Sequence, residues 1–181
     1  MLIPLSPHAN TPCVALNAIV ADIMREAGEL MLTFTLTGAL TNIKGGASLN
    51  ALTLGQRADN LWLTTCLECF LRPTGQSQYL EINISPDTGD WSTYDFTAYR
   101  DGMAPSPATL IDLSAAHSGG RAIVTAKILL PATYETAALD CAVTAVIEEA
   151  SGQKSYWALA HPGEQPDFHD QDAFIHALPA S

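Results

Sequence analysis

Glu68, Glu81 and Asn83 stand on two neighbouring stretches, Leu61 to Leu71 and Gln78 to Ser85, whose composition and turn-bounded lengths read as β-strands. In a strand every second side chain shares a face. Trp62, Thr64, Cys66, Glu68 and Phe70 therefore line one side of the first strand, and Tyr79, Glu81, Asn83 and Ser85 one side of the second. A hairpin closed by Arg72-Pro73-Thr74-Gly75 brings Glu68 and Glu81 onto one surface. Carboxylates and amides accept paired hydrogen bonds from adjacent hydroxyls, and flat aromatic rings stack on the C–H faces of sugar rings. With Trp62, Trp91 or Trp157 as a stacking wall and Tyr79 on the same face as Glu81, the set has the ingredients of a site for a polyhydroxylated ligand. The same alternation also describes the solvated face of a hairpin with its tryptophans in the core, and both readings stay open at this level.

Other chemistries are less well supplied. Two carboxyls can flank a scissile glycosidic bond, but no G-x-S-x-G, P-loop or G-x-G-x-x-G accompanies them, and no catalytic residue is assigned. The segment His161 to Asp172 concentrates two histidines and four acids, the densest ligand set in the chain. It has neither the spacing of a calcium loop nor an H-E-x-x-H, so no metal is expected there, and His161 is kept as a ligand-contact candidate. Met103 with His117 or His161 offers axial haem ligands, but there is no C-x-x-C-H, and no cofactor is expected. Cys66-Leu67-Glu68-Cys69 matches C-x-x-C, yet on a strand residues three apart point to opposite faces, so the expectation is two packed thiols.

These residues must be positioned by a chain of 181 residues, the size of one domain, here taken as 1–181. A net charge of −11 disfavours nucleic acid and anionic membrane surfaces as partners. No apolar run approaches the roughly 20 residues that span a bilayer, and the start Met1-Leu2-Ile3-Pro4-Leu5 lacks the features of a secretory signal, so a cytoplasmic location is expected. Leu30, Leu32, Phe34 and Leu36 alternate with Met31 and three threonines, the pattern of a half-buried strand. Val14 to Glu26 also fits a helix, but Glu26-Ala27-Gly28-Glu29 offers a turn, which favours a hairpin. Further strands are expected over Trp91 to Tyr99, Thr109 to Ser114, Ala122 to Leu130, Ala142 to Glu149, Ser155 to His161 and Ala173 to Leu178. Turn residues separate nearly all of them, the rhythm of an all-β, single-domain antiparallel β-sandwich.

From Trp62 onward the chain resembles bacterial DOMON-like proteins, related to the family 9 carbohydrate-binding modules. The resemblance rests on Leu61-Trp62, Thr65 to Leu71, Tyr79 to Pro86, Gly89-Asp90-Trp91, Tyr99 to Met103, Ser155 to Pro162, and Pro166-Asp167-Phe168-His169 ahead of Phe174. It implies a jelly-roll-like sandwich whose relatives bind sugars or, in some branches, haem. In such proteins the Pro-Asp-Phe-His stretch leads into the final strand, so Phe168 is expected to plug the sandwich and His169 to tie the loop. The expectation is a non-catalytic module binding a carbohydrate or sugar-like metabolite through Trp62, Glu68, Tyr79, Glu81, Asn83, Trp91, Trp157 and His161. The alternative is an interaction module whose exposed face meets a protein.

Overall fold

The computed structural model describes residues 2–180. Its organising feature is one long antiparallel sheet that curls back on itself. Among the described residues its strands are β1 (Ile3–Pro7), β2 (Leu16–Glu26), β3 (Glu29–Gly38), β4 (Cys66–Pro73), β5 (Tyr79–Ile84), β6 (Trp91–Phe96), β7 (Ala104–Pro105), β8 (Thr109–Ser118), β9 (Arg121–Leu129), β10 (Leu139–Glu148), β11 (Lys154–Ala158) and β12 (His176–Leu178). They pair in the order β7-β6-β5-β4-β10-β11-β1-β2-β3-β9-β8, with β12 beside β10. A single helical turn, α1 (Ala132–Glu135), precedes β10.

The expected hairpin of β2 and β3 is present, and its turn has a local cause. Ala27 and Gly28 both hold positive φ, 51° and 80°, and Glu26 pairs directly with Glu29. This is the two-residue connection whose twist matches that of its strands, and glycine supplies one of its left-handed positions without strain. Beyond it, alternate residues of β3 and β9, including Leu32, Phe34, Leu36, Val124 and Ile128, turn inward. They meet Leu67, Cys69, Leu71, Leu80, Ile82 and Val143 from β4, β5 and β10 in one apolar cluster. Burying such side chains supplies roughly 1.5–3 kcal/mol each before entropy is set against it.

β1 carries the sheet around the corner. Ile3, Pro4 and Leu5 pair with β2, while Ser6 and Pro7 pair with β11. The central strands β10, β4, β5 and β6 are buried on both sides. Their outer face bears Phe70, Tyr79, Tyr94, Phe96 and Ala142, which pack with Ala173, Phe174, Trp62 and Phe168 from covering segments.

Two expected strands change form. Leu61–Leu63 is a 3-10 turn ahead of β4, so Trp62 does not stand on the strand with Glu68. Asn60 sits in the left-handed region at φ 63°, which breaks an extended path before Leu61. Likewise Gln171–Ala173 is a 3-10 turn with the Asp170 side chain accepting from the Asp172 N–H, and only His176–Leu178 is extended.

Candidate functional site

The outer face of β4, β5, β6 and β10 places polar side chains where the covering segments shield them from solvent. Glu68 lies directly across from Asn83 on β5 and from Thr144 on β10. Glu81 lies across from Phe70 on β4 and from Tyr94 on β6. Cys66, Glu68 and Phe70 share this outer face, whereas Leu67, Cys69 and Leu71 belong to the core. Cys66 and Cys69 therefore do point to opposite faces, and all four cysteines are free thiols.

Above this floor lies a cavity of about 400 Å³. Glu68 and Glu81 line it with Trp62, Phe70, Phe96, Tyr156 and Phe168, while Arg100, Lys154, Met103 and His169 stand among its other walls. The acids are 2% and 4% exposed, so they are buried carboxyls rather than members of a solvated face. Thr144 Oγ1 donates to Glu68 Oε2 at 3.2 Å. Glu68 Oε1 is buried and, among the described residues, has no hydrogen-bond partner. Asn83 Nδ2 donates to Glu81 Oε1 at 2.9 Å, and the Cys66 thiol donates to Asn83 Oδ1 at 3.6 Å.

Burial and, after it, the charge of Glu81 push the Glu68 carboxyl up to about 8. Burial pushes Glu81 up to about 7, against the Asn83 hydrogen bond and the Arg100 charge that favour its ionised form. Near neutral pH the floor thus holds a protonated carboxyl beside one poised to ionise, a donor and acceptors on one surface.

The wall opposite β10 is tied by the loop before β12. Tyr79 stacks on Phe96 with ring centroids 4.8 Å apart. Its hydroxyl accepts the Arg100 N–H at 3.2 Å and pairs with His169 Nδ1 at 2.8 Å. Burial, then the Arg100 charge, lowers His169 to about 4, so it is a neutral ring at physiological pH. Arg100 Nη2 donates to Asp167 Oδ1 at 2.8 Å, and Tyr99 Oη donates to Asp167 Oδ2 at 2.6 Å. Lys154 Nζ donates to the Leu63 carbonyl.

Of the residues singled out in the sequence, Trp62, Glu68 and Glu81 meet at the cavity. Tyr79 and Asn83 stand behind it as supports, through the bonds to His169 and Glu81. Trp91 and Trp157 do not form a wall: they are 9% and 3% exposed and pack in the inner core, because each falls on the inward-facing register of its strand. The Trp157 N–H is satisfied by Ser155 Oγ at 3.0 Å. His161 is remote from the cavity, bonded to the Ser6 carbonyl at 2.9 Å and edge-on to His8.

Met103 lines the cavity, but neither His117 nor His161 joins it, so the sequence's axial-ligand pairs do not converge. Among the described residues no group of three or more His, Cys, Asp or Glu side chains could hold a metal. Phe168 covers the outer face, edge-on to Tyr156, instead of plugging the inner core. Phe70, Phe96, Arg100, Tyr156, Phe168 and His169 also line the cavity, beyond the residues to which the sequence points. Phe70 was signalled by sharing a strand face with Glu68, and Phe168 and His169 by the Pro166-Asp167-Phe168-His169 motif.

No family model matches the chain, and no curated protein matches it either. Among solved structures it is similar to one provisionally described as a carbohydrate-binding protein from Bacteroides uniformis ATCC 8492, at a TM-score of 0.63 and 12% identity. The likeness covers 97% of this chain and 84% of that one, and it shows a shared fold.

Proposed function

We propose that the curled sheet is a jelly-roll-like sandwich of the DOMON and family 9 carbohydrate-binding type, and that its outer-face cavity binds a carbohydrate or sugar-like metabolite. The observation that carries this is the cavity itself: aromatic rings form its walls, and two buried carboxyls, one with an unpartnered oxygen, form its floor. Burying an oxygen without a partner costs about 1–3 kcal/mol, a cost that a ligand hydroxyl bonded to it removes. Its volume of about 400 Å³ falls within the range of small-molecule sites, at the lower end, which favours a mono- or disaccharide over a long polymer. The B. uniformis structure lends support through its provisional description.

The cavity binds its ligand without chemistry, a reading that the resemblance to carbohydrate-binding modules supports. The test is a thermal-shift screen of the purified protein against a saccharide panel. A ligand that binds only the native state raises the midpoint, by an amount corresponding to about 2.7 kcal/mol at a hundred times its Kd. A flat response to every saccharide, with a protein partner co-purifying instead, would replace this reading with the interaction module.

A further inference from the structure

We propose that the cavity selects sugars bearing a protonated amine over their neutral counterparts, the ammonium lying against Glu68 and Glu81. The proposal rests on the sugar-binding reading and adds to it the ligand's charge.

The floor holds two carboxyls, and among the described residues no cation is bonded to either. Glu68 is held by the Thr144 hydroxyl, with the Cys66 thiol beside it, and Glu81 by the Asn83 amide. Both cations in the cavity wall are engaged elsewhere: Arg100 with Asp167 and Lys154 with the Leu63 carbonyl. His169 is bonded to Tyr79. A buried carboxylate is strongly disfavoured without a counter-charge, and an unpartnered Glu68 Oε1 marks a place where a hydrogen-bond partner is missing. The walls are suited to the same group, since the faces of Trp62, Phe70, Phe96, Tyr156 and Phe168 offer negative potential to a cation as well as stacking area to a sugar ring. A neutral sugar satisfies the orphan oxygen with a hydroxyl; an amino sugar also supplies the missing positive charge.

Near neutral pH the floor retains a carboxyl proton, because burial raises both acids. An arriving ammonium donates N–H bonds to the carboxylate, and the displaced carboxyl proton leaves to the buffer.

The experiment is titration calorimetry at pH 7 with D-glucose, D-galactose and D-mannose, their 2-amino-2-deoxy and 6-amino-6-deoxy counterparts, and the N-acetylated 2-amino forms. At least one amino form is expected to bind ten-fold or more tighter than its neutral parent, and acetylation, which removes the charge, should return a 2-amino form to the parent's level. Repeating the titration in buffers of different ionisation enthalpy should reveal proton release for the amino form and none for its neutral parent. Glu68→Gln should bring the amine preference close to unity; if that variant does not fold, the acetylation pair and the proton count on wild-type protein decide. Neutral sugars binding as tightly as the amino forms would overturn the proposal and leave the sugar site standing. A preference that survives Glu68→Gln would overturn the assignment to this floor, and no binding by any of these sugars would overturn both.

Discussion

Raising the pH should destabilise this protein in a window where few other groups titrate. Glu68 and Glu81 have folded pKa values of about 8 and about 7 against an ordinary 4.5. Between the ordinary and folded values the native state binds more protons than the unfolded chain, so stability falls as pH rises. His169 acts in the opposite sense at lower pH: its value is depressed to about 4, so its contribution is lost as pH falls below about 6.5. Buried Cys66, Cys69 and Cys141, all raised in the folded state, add a fall in the same sense from about pH 8 upward, where unfolded thiols begin to ionise. The range from pH 7 to pH 8 therefore reports mainly on the two acids. Integrating proton release over it at about 1.4 kcal/mol per unit gives about 1 kcal/mol from Glu68 and about 0.4 from Glu81. For a chain of this size that corresponds to a fall in midpoint of about 3–5 °C. Differential scanning calorimetry at matched ionic strength reads it directly, and Glu68→Gln should remove most of the fall. A midpoint that is flat or rises over this range, or an undiminished fall in the variant, would refute the burial of these carboxyls.

Trp62→Ala should keep the fold and weaken saccharide binding roughly two- to ten-fold, because Trp62 lines the cavity from a half-buried turn outside the strands and meets Tyr94 edge-on; fluorescence and calorimetry check this. Tyr79→Phe removes the hydroxyl that serves both His169 and the Arg100 N–H. Equilibrium urea unfolding should show a loss of about 1–3 kcal/mol. A thiol reagent should modify Cys13 first in native protein and reach Cys66, Cys69 and Cys141 only on unfolding, since those three are buried.

Much of the fold was legible because its information is local. The Leu30 to Leu36 alternation and the Ala27-Gly28 turn each specify a hairpin within a few residues. β1 was missed because Pro4 and Pro7 argue against a strand, yet Pro4 and Pro7 pair at the corner where the sheet changes partners, and the ladder there is short. The site was legible in part for a similar reason. Alternation put Glu68, Glu81 and Asn83 on one surface, but it carries no information about what covers that surface. The loop before β12 and the turn at Trp62 decide that the acids are buried, and their docking is a long-range event with no periodic signal. Trp91 and Trp157 were drawn into the site by residue type, whereas their strand registers direct them inward.

The most direct test of the cavity as a sugar site is titration calorimetry of wild type and Glu81→Gln against the best saccharide of the thermal-shift screen. Glu81 is held by Asn83 at the floor, and the amide preserves its shape while losing a charged acceptor. A charge-assisted hydrogen bond contributes about 1.5–3 kcal/mol, so affinity should fall roughly ten-fold or more with the fold intact. Equal binding by a folded Glu81→Gln variant, or no saccharide binding by the wild type, would contradict it.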